Sequence, residues 1–244
     1  MSNFVLNLMF DGTAYHGWQI QDNALTVCEV VQDAVKKITG QRSEIIGCSR
    51  TDAGVHALSY ICNFKSDTKI PADKLSFALN TKLPSDIRVQ QSYLADDDFH
   101  ARFSAKSKTY VYKSYYSVAE NPFLRNYAYR FGYETDIDKM KRAAEHIVGT
   151  HDFSAFRTMG SSQKTTVRTV NFLNVTRNDG VTEFEINADG YLYNMVRIIS
   201  GTLLYCGCGR IDPDEIPDII KSGDRTRAGI TAVPQGLFLK KIYY

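Results

Sequence analysis

The hydrophobic pattern of the first hundred residues alternates between the strand period and the helix period. A helix is predicted where apolar residues recur every three or four positions. Thr26 and Glu29 form a capping box at its start, and Gly40 stops it. Apolar runs bounded by turn residues predict strands on either side. The predicted elements are strands over 4–10, 58–64 and 87–93, a helix over 27–38, and a short helix beginning at Pro71.

The second part of the chain repeats this rhythm. Asn178-Asp179-Gly180 between two alternating runs predicts a β-hairpin. Asp136 and the pair Asp212-Pro213 are helix-start signals. Strands are predicted over 108–118, 169–177, 182–188 and 236–244, and helices over 136–148, 193–204 and 212–220. The order predicts an α+β fold of two halves with mainly antiparallel sheets, 1–104 and 105–244.

Composition narrows the class of protein without identifying it. Of the 244 residues, 43% are hydrophobic and 23% charged, which is typical of a globular protein, and the net charge of +2 alone does not imply a nucleic-acid partner. The five cysteines are irregularly spaced, which favours free thiols in a reducing cytoplasm over disulfides or a zinc site. The five histidines show no metal-ligand spacing. No leader peptide is expected, because residues 1–12 lack a basic region and a long apolar core, and no membrane span is expected, since no apolar run approaches about 18 residues.

One stretch combines charge with small residues, Arg50-Thr51-Asp52-Ala53-Gly54-Val55-His56. A simple turn would account for Asp52 and Gly54, with Arg50 solvated. The alternative is a functional loop, in which small neighbours allow a bulky substrate close to the Asp52 carboxylate. A carboxylate can act as a nucleophile and form a covalent intermediate.

Arg197 lies inside an apolar helical pattern. A buried guanidinium without a partner is costly, so Arg197 either reaches the surface or pairs with a carboxylate. If it pairs with Asp52, the bidentate contact would fix the orientation of that carboxylate.

Basic and aromatic residues alternate between His100 and Tyr112, followed by further basic positions. A half-exposed strand would explain the pattern, but charge for phosphates and flat rings for unstacked bases are also what an RNA surface needs. The polar loop 158–166 is a candidate for closing over a substrate. The candidate RNA contacts are His56, Arg102, Lys106, Lys108, Arg157 and Arg168.

Taken together, these motifs resemble one family, the TruA-type tRNA pseudouridine synthases. The resemblance covers nearly the whole chain, since its motifs follow in family order. They are 10–19 (FDGTAYHGWQ), 50–56 (RTDAGVH), 99–104 (FHARFS), 108–110 (KTY), 151–156 (HDFSAF), 195–197 (MVR), 227–232 (RAGITA) and 236–237 (GL).

The resemblance implies both a fold and a reaction. The fold is two ferredoxin-like halves whose sheets join into one extended sheet, with the active-site cleft between the halves. The reaction is the isomerisation of uridines 38, 39 and 40 of the tRNA anticodon stem-loop. Asp52 is the implied nucleophile, Tyr110 packs on the target uracil, Arg197 pairs with Asp52, and Arg50 contacts the substrate. A cytoplasmic homodimer that needs no cofactor or metal is expected.

Two other functions compete with this one. A non-catalytic RNA-binding module on the same fold would explain the basic and aromatic strand, but gives no reason for Asp52 and Arg197 together. An aspartate-nucleophile hydrolase of small molecules would have no use for the residues from Lys108 to Tyr112.

Overall fold

The computed structural model describes residues 1–158, 160 and 165–244, and divides the chain into two compact units. One is Met1–Lys106 together with Phe238–Tyr244, and the other is Ser107–Leu237. The strands are β1 (Ser2–Phe10), β2 (Ile46–Gly47), β3 (His56–Ser66), β4 (Ile87–Ala95), β5 (Ser107–Tyr116), β6 (Tyr129–Phe131), β7 (Gly149–Asp152), β8 (Val167–Asn178), β9 (Val181–Ala188) and β10 (Leu237–Tyr243). The helices are α1 (Val27–Thr39), α2 (Ala72–Asn80), α3 (Ile137–Glu145), α4 (Met195–Gly207) and α5 (Ile216–Ser222).

The first unit is a sheet with strand order β4-β1-β3-β10, and β2 also pairs with β3. The β1–β3 and β1–β4 pairs are antiparallel, which confirms the predicted α+β class with mainly antiparallel strands. β10 runs parallel to β3, with Phe238 opposite His56. Because of this pairing, the C-terminal residues belong to the first unit. The expected halves, 1–104 and 105–244, had assigned them to the second.

α1 forms where the capping signals predicted it. The Thr26 side chain accepts a hydrogen bond from the Glu29 amide at 3.4 Å. Gly40 ends the helix in the left-handed region (φ 75°), where its amide donates to the Lys36 carbonyl. The apolar faces of the helices and the inner face of the sheet supply the core, whose fully buried side chains include Leu6, Leu8, Val35, Tyr60, Phe64, Leu75 and Leu79.

The second unit has strand order β5-β9-β8-β7, all antiparallel, with β6 parallel to β5. The predicted hairpin joins β8 to β9 through Asp179 (φ 49°) and Gly180 (φ 77°), since a two-residue turn of this hand matches the strand twist. Asp136 caps α3 by accepting from the amides of Asp138 and Lys139. α3 packs against α4 and β8.

Three details differ from the expected elements. β2, β6 and β7 are too short to leave a readable alternation in the sequence. α3 ends at the cap His146, and Gly149 instead opens β7. Asp212-Pro213 starts a turn of 3-10 helix, Pro213–Glu215, before α5 begins. Across the described part of the chain, the helices are all too short or too polar to span a bilayer.

Candidate active site

The Asp52 loop, residues 48–55 between β2 and β3, is held by backbone hydrogen bonds to the segment 12–18. The Thr51 carbonyl accepts from the Trp18 amide at 3.2 Å, and the Gly54 amide donates to the Tyr15 carbonyl at 3.2 Å. A turn closes the loop, with the Val55 amide donating to the Asp52 carbonyl. Asp52 itself is partly exposed at the tip of this turn. Bonds on both sides therefore fix the backbone that carries the carboxylate.

Glycine is required where the segment 12–18 touches the Asp52 loop. A Cβ on Gly12 would lie 2.0 Å from the Val55 carbonyl oxygen, and one on Gly17 would lie 2.2 Å from that of Thr51. Gly17 also has a φ of 81°. Both glycines are thus explained by close approaches of backbone to backbone.

The same segment is tied to α1. The carbonyls of Gly17 and Trp18 accept from the first amides of the helix, those of Val27 and Cys28, both at 3.1 Å. These helical amides have no partner within the helix itself, so the loop carbonyls satisfy them. The segment 12–18 therefore connects the Asp52 loop to the N-terminal end of α1 by hydrogen bonds.

Aromatic rings support the start of the Asp52 loop. Trp18 and Tyr60 stack, and Phe10 packs against both. The Tyr60 hydroxyl donates to the Ser49 carbonyl, and it accepts a hydrogen bond from the Ser49 amide at 3.4 Å. A Cβ on Gly47 would collide with this pair of rings. The sequence analysis did not identify Trp18 or Tyr60 as functional, because a large aromatic residue in a strand or loop is typical of any core.

His56, a candidate RNA contact, is 1% exposed. Its Nδ1 lies 3.0 Å from the Gly12 amide nitrogen and 3.1 Å from Asp11 Oδ1, and its ring stacks on Phe238. These contacts favour a positioning role at the base of the Asp52 loop.

Tyr15 adds a polar anchor to the segment 12–18. Its hydroxyl donates to Asp86 Oδ1 at 2.7 Å, and burial together with this carboxylate raises the pKa of Tyr15 well above its ordinary value. The phenol therefore stays protonated and keeps donating at any physiological pH.

The remaining candidates of the first unit lie on its surface. Arg50, Arg102 and Lys106 are exposed. Arg50 is two positions before Asp52, and Arg102 belongs to the turn 100–104, in which the Ser104 amide donates to the His100 carbonyl.

In the second unit, Tyr110 lies on β5, opposite Ile186 of β9. Its ring is 6% exposed and meets the edge of the Tyr191 ring at 5.0 Å. The Tyr191 hydroxyl lies 2.8 Å from the Lys108 carbonyl, and burial, followed by the neighbouring Tyr110, raises the pKa of Tyr191 well above its ordinary value. Tyr191 therefore acts as a neutral support for the Tyr110 ring.

Arg197 occupies the first turn of α4. Its Nε donates to the Ala232 carbonyl at 2.7 Å, and Nη1 donates to Asn194 Oδ1 at 2.8 Å. Asn194 has a φ of 62°, and its amide group also donates to Thr158 Oγ1 at 2.9 Å. Several contacts of its own unit thus orient the guanidinium, and Asn194 is a supporting residue that sequence reasoning missed.

The segment 227–232 lies along α4 at close range. A Cβ on Gly201 would fall 2.0 Å from the Ile230 carbonyl oxygen, and one on Gly229 would fall 2.6 Å from that of Gly201. The Gly229 amide donates to Thr202 Oγ1, and the Ala232 amide donates to the Arg197 carbonyl. This packing explains why the motif RAGITA is rich in small residues, and it places the Ala232 carbonyl beside Arg197.

The other candidates of the second unit are less organised. Lys108, Arg157 and Arg168 are partly exposed, and Arg168 Nη1 donates to the Thr165 carbonyl at 3.1 Å. Most of the proposed closing loop 158–166 lies outside the described residues. Within the described part of the chain there is no cluster of three or more metal-ligating side chains.

Comparison with known proteins identifies the family. The family model described as tRNA pseudouridine synthase matches residues 8–104 and 143–244. The chain belongs to the tRNA pseudouridine synthase family. A protein of Thermoanaerobacter sp. strain X514 named tRNA pseudouridine synthase A is 54% identical over 100% of both chains, and one of Acetivibrio thermocellus with the same name is 50% identical over the same shares. A chain from a solved Cbf5-Nop10-Gar1 complex matches at a TM-score of 0.42 and 12% identity, covering 97% of this chain and 49% of that one.

Membership confirms the resemblance seen in the sequence, and with it the class of enzyme, since pseudouridine synthases are isomerases. The family match includes both the Asp52 loop and the segment from Asn194 to Ala232. The segment 12–18, whose glycines contact the Asp52 loop, is also within the matched residues.

Proposed function

We propose that this member of the tRNA pseudouridine synthase family isomerises uridine to pseudouridine in tRNA, with Asp52 as the nucleophile. The observation that carries the proposal is the Asp52 loop, a partly exposed carboxylate on a backbone fixed by hydrogen bonds on both sides. Reacting groups must be held close to their productive geometry, and this support supplies it. The full-length similarity to relatives named tRNA pseudouridine synthase A supports the substrate class.

The reaction conserves the atoms of the uridine apart from one proton exchanged with solvent. The N1–C1′ bond breaks, the uracil turns, the C5–C1′ bond forms, and the C5 hydrogen leaves as a proton while N1 gains one. Attack of Asp52 on C1′, attack on C6, and carboxylate-assisted elimination to a glycal all satisfy this balance. In each route the detached uracil must be kept from escaping, which requires a closed pocket.

Tyr110 and Arg197 complete the proposed catalytic group. A target base must leave its stack, at a cost of a few kcal/mol, and stacking on an aromatic ring such as Tyr110 returns about 1–3 kcal/mol. We propose that Arg197 pairs with the Asp52 carboxylate when the site is assembled. The bonds to Asn194 and Ala232 support this role, because they set the direction of the guanidinium in advance.

The proposed targets are uridines 38, 39 and 40 of the anticodon stem-loop, and the proposed assembly is a cytoplasmic homodimer. Arg50 would contact the substrate beside Asp52, and exposed or partly exposed basic residues would contact phosphates. His56 would act by positioning the Asp52 loop. The proposed phosphate contacts are Arg102, Lys106, Lys108, Arg157 and Arg168.

Release of tritium from tRNA transcripts labelled at uracil C5 tests the proposal. The wild-type protein should release tritium, since C5 becomes the bonded carbon, and Asp52→Asn should release none while binding tRNA with unchanged affinity. Asp73→Asn, which alters an exposed carboxylate of α2, is the matched control and should behave as wild type. Transcripts with cytidine at position 38, 39 or 40 then identify the targets.

Three results would contradict parts of the proposal. Full release by Asp52→Asn would remove the nucleophile assignment. Tight tRNA binding by the wild type without release from any transcript would favour the non-catalytic RNA-binding module. A monomer in light scattering with full activity would contradict the homodimer.

A further inference from the structure

A pocket of about 420 Å³ opens in the first unit beside the Asp52 loop. Its walls come from four parts of the first unit. They are residues 18–20 with Cys28 and Gln32 of α1, residues 44–47 around β2, Ser49 with Arg50, and His100, Arg102 and Phe103 of the turn 100–104. The volume falls in the range of small-ligand sites, about 300–1,000 Å³. Since Ser49 and Arg50 lie directly before Thr51 and Asp52 in the chain, the pocket adjoins the proposed reaction centre.

The charge of the pocket favours an anion. Arg50 and Arg102 are both exposed and line it, whereas Glu44 supplies one carboxylate among the described lining residues. Guanidinium groups bind phosphate oxygens through two parallel hydrogen bonds.

Phe103, one of the residues that line the pocket, has a largely exposed aromatic ring. Phe103 is 75% exposed, yet its backbone is fixed, because the amides of Arg102 and Phe103 both donate to His100 Nδ1 at 3.2 Å. The His100 amide in turn donates to Ser104 Oγ at 3.1 Å. The rings of His100 and Phe103 lie 4.3 Å apart, and the Arg102 guanidinium carbon lies 5.6 Å from the Phe103 ring. The turn thus presents a flat ring to solvent from a rigid support.

We propose that this pocket binds one unstacked nucleotide of the RNA substrate, a neighbour of the target uridine. Its base stacks on Phe103, and its phosphates contact Arg50 and Arg102. Unpaired bases are recognised by aromatic rings together with arginines, which is the combination found here. This inference rests on the proposed function for the identity of the RNA, and it adds a second base to the one held at Asp52.

The first unit offers a matched control for Phe103. Phe77 on α2 is 69% exposed and also has a cation over its ring, Lys74 Nζ at 5.9 Å, but it is not among the residues that line the pocket. Phe103→Leu and Phe77→Leu each remove one exposed ring face and keep an apolar side chain. Neither substitution should alter the fold, which circular dichroism checks.

The experiment uses anticodon stem-loop RNAs with 2-aminopurine placed in turn at each position flanking the target uridine. With the wild-type protein, one position should show fluorescence quenched by stacking. Phe103→Leu should lose this quenching and weaken RNA binding by about 5- to 150-fold, the effect of one lost stack. Phe77→Leu should keep both the quenching and the affinity.

The salt dependence of RNA affinity distinguishes the contribution of the Phe103 ring from that of the arginines. Arg102→Gln should reduce the slope of log affinity against log salt by about 0.7, as one lost phosphate contact to a single strand does, whereas Phe103→Leu should leave the slope unchanged. Unaltered affinity and quenching in Phe103→Leu would overturn the pocket assignment. That result is independent of tritium release by the wild type, so the failure of the pocket and the failure of the proposed reaction are distinguishable.

Discussion

The indole of Trp18 lies over the phenol of Tyr60, with ring centroids 4.1 Å apart and ring planes 25° from parallel. The hydroxyl of Tyr60 donates a hydrogen bond to the backbone carbonyl of Ser49, which lies three residues before Asp52. A buried aromatic pair thus supports the polar contact that holds the start of the Asp52 loop.

Removing the Tyr60 hydroxyl should have two measurable effects, one on the stability of the fold and one on the rate of the reaction. Tyr60→Phe keeps the ring stack and loses both part-buried hydrogen bonds between the hydroxyl and Ser49, so we expect the free energy of unfolding to fall by about 1–2 kcal/mol. Because the Ser49 carbonyl is released, we also expect the single-turnover rate to fall while tRNA affinity stays constant. Urea unfolding and single-turnover assays measure the two effects. Tyr115→Phe, which loses the buried acceptor of the Asn121 amide in the other unit, should cost similar stability with no loss of rate.

Gly17 and Gly40 form a matched pair for testing the backbone contact at Thr51. Both have a positive φ, 81° and 75°, but a Cβ on Gly40 would meet nothing within 4 Å, whereas one on Gly17 would meet the Thr51 carbonyl at 2.2 Å. Gly40→Ala should therefore cost only the left-handed backbone penalty, about 1–2 kcal/mol of unfolding free energy. Gly17→Ala should cost more and reduce turnover. Equal stability losses in urea unfolding and equal rates would show that the contact is unimportant.

Asn194→Gly tests whether Arg197 needs its support. Glycine adopts a φ of 62° without strain, so the change chiefly removes the bonds to Arg197 Nη1 and Thr158 Oγ1. We expect turnover to fall about tenfold or more and the free energy of unfolding to fall by about 1–2 kcal/mol. Asp179→Gly changes another residue with positive φ, in the β8–β9 turn, and should leave turnover unchanged. A normal rate in Asn194→Gly would mean that the Ala232 carbonyl is sufficient.

Buried thiols should make the protein less stable in alkali. Burial raises the pKa of Cys28 to about 12, from an ordinary value of 9.0. Between these values the folded state retains a proton that the unfolded chain loses, so the free energy of unfolding decreases as pH rises above about 9. Cys28→Ala should flatten this decrease by up to about 1.4 kcal/mol per pH unit. Val31→Ala, at a buried and uncharged position of the same helix, should lower stability at every pH and leave the slope unchanged.

Most of the elements were predictable, because their signals are local. Thr26 and Gly40 bound α1, and Asp179-Gly180 forms the hairpin turn, since caps and turns depend on a few neighbouring residues. The pairing of β10 with β3 was not predictable, because it joins positions about 180 residues apart and no periodicity reports it. β2 and β6 were not predicted, because strands of two or three residues are too short to show an alternation of apolar and polar positions.

The candidate site was predictable only in part. Asp52 and Arg197 were identified because a charge stands out against small or apolar neighbours. Tyr60 and Asn194 did not stand out, because their roles depend on what the fold places beside them. Phe103 lies within the basic and aromatic pattern that suggested an RNA surface, but only the structure shows that its ring is exposed beside a pocket. Gly17 is the intermediate case: it belongs to the family motif 10–19, but only the structure shows that the Thr51 carbonyl requires a glycine there.

The position of β10 has a consequence for synthesis on the ribosome. Phe238 stacks on His56 with ring centroids 4.6 Å apart, so the base of the Asp52 loop is completed by residues near the end of the chain. A nascent chain that stops before residue 238 lacks this cover, and it also leaves an edge of β3 unpaired. Because the segment that completes the base of the Asp52 loop follows the second unit in the chain, we expect this base to form only after Ser107–Leu237 has been translated.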